Sequence, residues 1–183
     1  MVGTRAFEFE FEPHNCFACG TLNEQGLHMD LHFEEGRAWA DLVLDSRFEG
    51  WVGISHGGVI ATVLDEVMGW ALVGEGTWGV TARMTVTYRR PIPIGMAIRG
   101  EGWVVRSRRR VVETAGRIVD RDGNELATGE ATYVAVDAAR RAELTARYGI
   151  RIRAIQEAGS ATPERVDPLV PRPTSASAAE ARR

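Results

Sequence analysis

Lysine is absent, and all 22 basic residues are arginine. This excludes a lysine Schiff base and a Walker-type phosphate lysine, and reads as base-composition bias of the coding sequence. Cysteine is nearly absent: Cys16 and Cys19 form a single CxxC, so a disulfide-stapled scaffold is excluded. Long apolar runs are lacking too. The longest, Val59 to Val73, is broken by Thr62, Asp65, Glu66 and Gly69 and is shorter than the ~20 residues needed to cross a bilayer. There is no basic excess: the formal net charge is -3, unlike a protein built to hold nucleic acid. The stretch Phe7-Glu8-Phe9-Glu10-Phe11-Glu12 is too acidic and too interrupted for a signal peptide. The expectation is a soluble, cytoplasmic protein with reduced thiols and neither membrane nor nucleic-acid partner.

What is present is an ordinary globular mixture of 183 residues, 44% hydrophobic and 26% charged. A chain of this length buries roughly 70% of its unfolded surface, so one domain with appendages is expected. Residues 1–26 read as an irregular segment carrying the CxxC, with Pro13, Asn15, Gly20, Asn23 and Gly26 as turn signals. Leu27 to Glu34 and Arg37 to Leu44 alternate apolar and polar, which predicts two strands joined by a Glu35-Gly36 hairpin. A loop over 45–56 carries Phe48 and Trp51 as exposed aromatics. Gly57 to Gly74 is apolar on nearly every face, the mark of a buried helix. Four strands follow: Gly79 to Arg90, Met96 to Arg106, Arg109 to Asp120 and Asn124 to Val136, the last pair joined at Asp122-Gly123. Residues 137–157 have helical composition, and the Pro-, Ser- and Ala-rich residues 158–183 read as a disordered tail. Two strands, one apolar helix and four strands predict an α+β domain over 27–136. Its antiparallel sheet curls around one central helix and leaves edges that invite a second copy.

The most informative segment is Ser55-His56-Gly57-Gly58, directly before the apolar run. A helix start offers unpaired N–H groups and partial positive charge, and glycine lets a ligand approach the backbone closely. The pair suits a developing oxyanion; close helix–sheet packing explains it equally well. Asp65 is the second feature, since a carboxylate in an apolar helix is costly unless paired. Thr62, Asp65, Glu66 and Gly69 share a face by spacing. An ordinary wet surface is the plainer explanation, and Val63, Leu64, Val67 and Met68 count against it. Gly58 and Asp65 lie within ~20° of one face but ~10 Å apart along the axis. One carbonyl cannot reach both, so a joint site requires two subunits with antiparallel central helices.

His56-Gly57-Gly58 with Asp65 nine residues beyond the histidine resembles the hotdog-fold acyl-CoA thioesterases of the phenylacetate-pathway type. Asn15-Cys16-Phe17-Ala18-Cys19-Gly20, Gly26-Leu27, Phe48-Glu49-Gly50-Trp51 and Val86-Thr87-Tyr88-Arg89-Arg90-Pro91 extend the resemblance over 14–136. It implies a hotdog fold, a homodimer or homotetramer, and a coenzyme A thioester as substrate, with no separate cofactor or metal. It also implies residue roles. The Gly57 N–H polarises the carbonyl, Asp65 acts as general base or nucleophile, Thr81 helps place the water, and His56 orients the loop or lies near the sulfur. An asparagine that some relatives carry six residues before the histidine is replaced here by Gly50.

Glu66, adjacent to Asp65, is the competing acid and points ~100° away. Gly58, Glu66, Arg89, Arg90, Pro91 and Arg108 are the candidates for substrate binding. Arginine forks suit CoA phosphates, and solvated strand ends explain them as well. His14, Cys16, Cys19 and His28 have zinc-ligand chemistry but lack a second CxxC or an HxxxH, and a redox role lacks the strand–CxxC–helix context. The CxxC is expected as a loop at the pocket mouth, with Trp51, Trp70 and Trp78 in the core or lining the pocket. Two alternatives stay open on the same fold: a non-catalytic acyl-CoA binder and an enoyl-CoA hydratase using His56 and Asp65.

Overall fold

The structure, a computed structural model, describes residues 7–10, 12–148 and 151–154. The chain runs β1 (Phe7–Glu10), β2 (His32–Glu34), β3 (Arg37–Val43), β4 (Glu49–Trp51), β5 (Ile54–Ser55), α1 (Gly57–Gly74), β6 (Gly79–Tyr88), β7 (Ala97–Arg108), β8 (Val111–Val119), β9 (Glu125–Ala135), α2 (Ala138–Tyr148) and β10 (Arg151–Ala154). Six strands form one antiparallel sheet in the order β2-β3-β7-β8-β9-β6. The sheet wraps α1, which touches β7, β3, β8, β6, β9 and β2. The helix is apolar all round because the sheet covers it: Ile60, Val63, Leu64, Val67, Met68 and Leu72 are all within the core. Its length and hydropathy suit a membrane crossing, but here that apolar surface fills the sheet's concavity.

The sheet approaches the helix through glycine. Gly102, Gly116 and Gly129 stand in register across β7, β8 and β9. A Cβ at Gly102 would lie 2.5 Å from the Val67 backbone, and one at Gly116 would lie 2.9 Å from Met68 Cγ. At Gly102 the obstacle is backbone, which cannot rotate away, so a side chain there would push α1 off the sheet.

The bounds of α1 and the antiparallel α+β architecture agree with the sequence expectation, and the bounds of β3, β6, β7, β8 and β9 shift by one or two residues. The Glu35-Gly36 hairpin forms, with Gly36 at φ 68. Other expectations are corrected. Only His32–Glu34 of the predicted strand 27–34 pairs with β3. Its earlier part instead joins the CxxC loop, where Leu27 N–H donates to Phe17 O at 2.8 Å and Met29 N–H to Ala18 O at 2.9 Å. His28 interrupts the extension at φ 50. The alternation was real in burial, since Met29 and Phe33 are both buried, but burial alternation alone does not choose a pairing partner.

Loop 45–56 contains a short 3-10 turn at Ser46–Phe48 and the β4–β5 ribbon. Phe48 is buried, whereas Trp51 is 84% exposed and belongs to no core. The irregular N-terminal segment contains β1, and the predicted helix 137–157 stops at Tyr148. β10 pairs antiparallel with β1, Phe7 opposite Ala154. Both strands show period-two sequence (Phe-Glu-Phe-Glu, Arg-Ile-Arg-Ala), a strand signal that helical composition upstream outweighed. Asp137 Oδ1 caps α2 by accepting from Arg140 N–H at 2.8 Å. Tyr148 anchors the helix by stacking on Trp78 and meeting His14 edge-on. The tail at 158–183 lies outside the described residues.

Candidate active site

His56 caps α1. Its Nδ1 accepts the Gly58 N–H at 2.9 Å, which fixes the proton on Nε2. The cap uses the Gly58 donor and leaves the Gly57 N–H without a partner among the described residues. Tyr88 Oη–H donates to Gly57 O at 2.8 Å, tying β6 to this turn. A cavity of about 330 Å³ lies here, lined by Ser55, Gly57, Ile60, Arg89, Arg90 and Pro91 among others. The buried Ser55 hydroxyl also has no partner among the described residues. Gly50 explains its own identity: a Cβ there would sit 2.8 Å from His56 Cα. An asparagine cannot occupy this backbone, so β4 packs bare against the cap.

Two turns further along α1, Asp65 Oδ1 accepts from Thr81 Oγ1–H at 2.8 Å and lies 2.8 Å from Tyr133 Oη, which is also 2.9 Å from Asp65 O. Tyr133 is fully buried. Burial first, and the Asp65 charge second, push its phenol pKa above the ordinary value, so it stays a donor. These bonds hold the carboxylate in one orientation and leave Oδ2 without a partner among the described residues. Asp65, Thr81 and Tyr133 line a cavity of about 210 Å³ together with Glu66, Trp70 and the two cysteines.

Glu66 lines this same cavity, so ~100° of helix rotation does not separate it from Asp65. Its surroundings do. Trp70 Nε1–H donates to Glu66 Oε1 at 2.8 Å, and Cys16 Sγ lies 3.9 Å from that oxygen. Burial, reinforced by the neighbouring Cys16, pushes the Glu66 carboxyl up to about 7. Glu66, the competing acid, faces the CxxC loop and not the Asp65 network. The CxxC lines the cavity, as a loop at the pocket mouth would. Among the described residues, the one cluster of three potential metal ligands is Cys16, Cys19 and Glu66; neither His14 nor His28 completes it.

The cavities at Gly57 and Asp65 share no lining residue, so one protomer does not bring the two groups together. Arg89, Arg90 and Pro91 flank the helix start, with Arg89 in a 3.5 Å ion pair with Glu125. Arg108 sits at the β7–β8 hairpin, beside Val111 and hence Val134, whereas the other arginines follow Tyr88 beside Ala127. Seven residues of strand, ~23 Å, separate the two groups. Thr62 bonds back to Gly58 O at 3.0 Å and lines neither cavity. The sequence holds no sign of Tyr133, and Tyr88 and Ser55 stand in its motifs without a role of their own. Nothing local marks a strand tyrosine 68 residues from its carboxylate partner, although Ser55 adjoins the histidine motif.

The family model for the thioesterase superfamily matches residues 52–127. The Xenopus laevis acyl-coenzyme A thioesterase THEM4 is 38% identical over 84 residues, 46% of this chain and 37% of the relative. The chain thus spans well under half the length of that relative. Among solved structures, a thioesterase superfamily protein superposes with TM-score 0.61 at 29% identity, covering 66% of this chain and 60% of that one. A Streptococcus mutans protein bound to acetyl CoA has TM-score 0.57 at 20% identity, over 64% and 97% of the chains. The E. coli PaaI protein from the phenylacetic acid degradation operon has TM-score 0.58 at 18% identity, over 61% and 81%; these last two likenesses speak for the fold. Over residues 52–127 the chain is similar to the thioesterase superfamily, and it has the hotdog fold that these solved structures share.

Proposed function

We propose that this chain hydrolyses acyl-coenzyme A thioesters to a free carboxylate and CoA, acting as a cytoplasmic homodimer. The observation that carries this reading is an oriented carboxylate, Asp65 held by Thr81 and Tyr133, on the helix whose start presents an unpartnered Gly57 N–H. The likeness to a protein named as an acyl-CoA thioesterase supports the reaction. A neighbour with acetyl CoA bound supports the substrate class.

The chemistry divides between the two groups. The Gly57 N–H donates to the thioester carbonyl oxygen and stabilises the negative charge that forms there. Asp65 takes a proton from a water as its oxygen attacks the carbonyl carbon. The carbon–sulfur bond then breaks, and the CoA thiolate leaves and is protonated. His56 secures the loop by capping the helix, and Thr81 holds Asp65 by Oδ1 so that Oδ2 stays open to a water. Arg89 and Arg90 beside the helix-start cavity supply guanidinium donors for CoA phosphates. This chemistry requires no metal or organic cofactor.

Because the two groups open into separate cavities, the reading requires a partner subunit. β6 is a ten-residue edge strand with Val80 and Tyr88 exposed. Such an edge pairs readily with its own copy. Antiparallel pairing about a two-fold axis sets two α1 helices side by side, Gly57 of one near Asp65 of the other, and a dimer of dimers is the natural larger assembly.

The test is CoA release from short, medium and aryl acyl-CoAs by wild type and Asp65→Ala, with sedimentation to read the assembly. Turnover lost in Asp65→Ala is the expected result. Inactivity of wild type across the panel overturns the reading: calorimetric binding of intact acyl-CoA would identify a binder, and enoyl-CoA hydration a hydratase. Full activity in Asp65→Ala overturns the site.

A further inference from the structure

The hydrolytic reading leaves Cys16, Cys19 and Glu66 without a role, yet their sulfur and carboxylate atoms lie within 4.8 Å of one another. A turn builds the pair: Gly20 N–H donates to Cys16 O at 3.0 Å. A Cβ at Gly20 would lie 2.4 Å from Cys16 N, so no other residue fits that turn. Both thiols are partly exposed and line a cavity open to small molecules. Trp70 Nε1–H fixes Glu66 beside them at 2.8 Å. We propose that Cys16 and Cys19 form a redox-active dithiol that exchanges with low-molecular-weight disulfides, with Cys16 as nucleophile, Cys19 as resolving thiol and Glu66 as proton acceptor.

The electrostatics suit these roles. The Cys19 thiol, donating to the Cys16 sulfur, brings Cys16 down to about 5, whereas the same bond and burial push Cys19 up. Glu66, at about 7, can accept a proton and return it near neutrality. Redox CxxC pairs are commonly met at a helix start, where the dipole activates the first thiol. Here the partner thiol replaces the dipole, so the missing strand–CxxC–helix context does not bar the chemistry.

The exchange balances. The Cys16 thiolate attacks one sulfur of RSSR, forming a Cys16–S–S–R bond and releasing one RS⁻, which is protonated from solvent. Cys19 gives its proton to Glu66 and attacks Cys16 Sγ. The Cys16–Cys19 bond forms, and the second RS⁻ leaves with the proton from Glu66. Two electrons pass from the dithiol to RSSR, which becomes two RSH. A tetrahedral metal site is the competing use of the same atoms, but three ligands are present and Glu66 Oε1 already accepts from the indole.

These are the chain's only two cysteines, so thiol chemistry reads the site directly and independently of hydrolysis. Reduced full-length protein is treated with excess oxidised glutathione, alkylated with maleimide and weighed intact. Wild type should lose both thiols and retain no glutathione. Cys19→Ser should retain one glutathione on Cys16, Cys16→Ser should react at least about tenfold more slowly, and Glu66→Gln should accumulate the mixed disulfide. A redox titration of wild type, which needs no variant, should show a single two-electron transition. Thiols that persist under excess oxidised glutathione, equal rates in the two cysteine variants, or stoichiometric zinc that protects both thiols until chelated would each overturn the proposal.

Discussion

The start of α1 and its middle turn meet the same need, control of negative charge, with different materials. At the start the donor on offer is the Gly57 backbone N–H, which the helix leaves unpaired while His56 takes the neighbouring Gly58 N–H. In the middle the charge belongs to Asp65, and two hydroxyls from β6 and β9 aim it. A backbone donor survives most substitutions and is removed only by proline, whereas an aimed carboxylate loses its orientation hydroxyl by hydroxyl. The adjacent acids extend the contrast. Asp65 faces hydroxyls, while Glu66 faces thiols and an indole and is pushed up to about 7. One turn of helix therefore carries two carboxyls of different chemistry, separated by their neighbours and not by distance.

Four substitutions break this comparison at successive points. Asp65→Ala removes the proposed base and should lower kcat by about 10²–10⁴-fold, read in the CoA-release assay. Gly57→Pro deletes only the N–H, because proline is tolerated at the first helical position and His56 already has the extended backbone that precedes proline. It should lower kcat by about 10²–10³-fold while circular dichroism stays unchanged. Tyr133→Phe leaves Thr81 on Asp65 and should lower kcat about tenfold with KM unchanged; a purely structural role would instead lower stability and leave kcat intact.

The smallest effect concerns pH. Glu66 has a folded pKa raised above its ordinary value of 4.5, so the folded state holds its proton longer. That stability is fully present below about 4.5 and is lost as pH rises through about 7. Cys16, drawn down to about 5, acts in the opposite sense. The comparison is therefore best made in a Cys16→Ser background, where burial still raises Glu66. Urea unfolding there should show Glu66→Gln gaining on its parent as pH climbs across this window. Parallel pH profiles would mean that Glu66 is not held as a buried acid.

How much could be read in advance follows from what each feature depends on. The bounds of α1 were legible because an apolar run opened by His-Gly-Gly and closed at Gly74 carries its own start and stop. The four strands after α1 were legible as segments because they are long and separated by turn residues; their order in the sheet, with β7 beside β3 and β6 beside β9, was not. Asp65 stood out because Val63-Leu64 and Val67-Met68 flank the acidic pair it forms with Glu66. The 27–34 segment was misjudged because its alternation recorded burial truly while its hydrogen bonds went to the CxxC loop. The ladder Gly102, Gly116, Gly129 was unreadable as such, since the three glycines lie in different strands and only register aligns them.

The amino-acid order by itself determined the periodicities, the glycine-opened helix start and an acid in an apolar helix, because these depend on residues within a few positions of one another. Only the tertiary structure decided that Tyr133 and Thr81 aim Asp65, that Glu66 turns to the thiols, and that the arginines at Arg89 and Arg108 lie at opposite ends of the sheet. Such pairings join residues tens of positions apart. They are set by which strands meet and in what register, quantities that the packing of the whole sheet on one helix resolves.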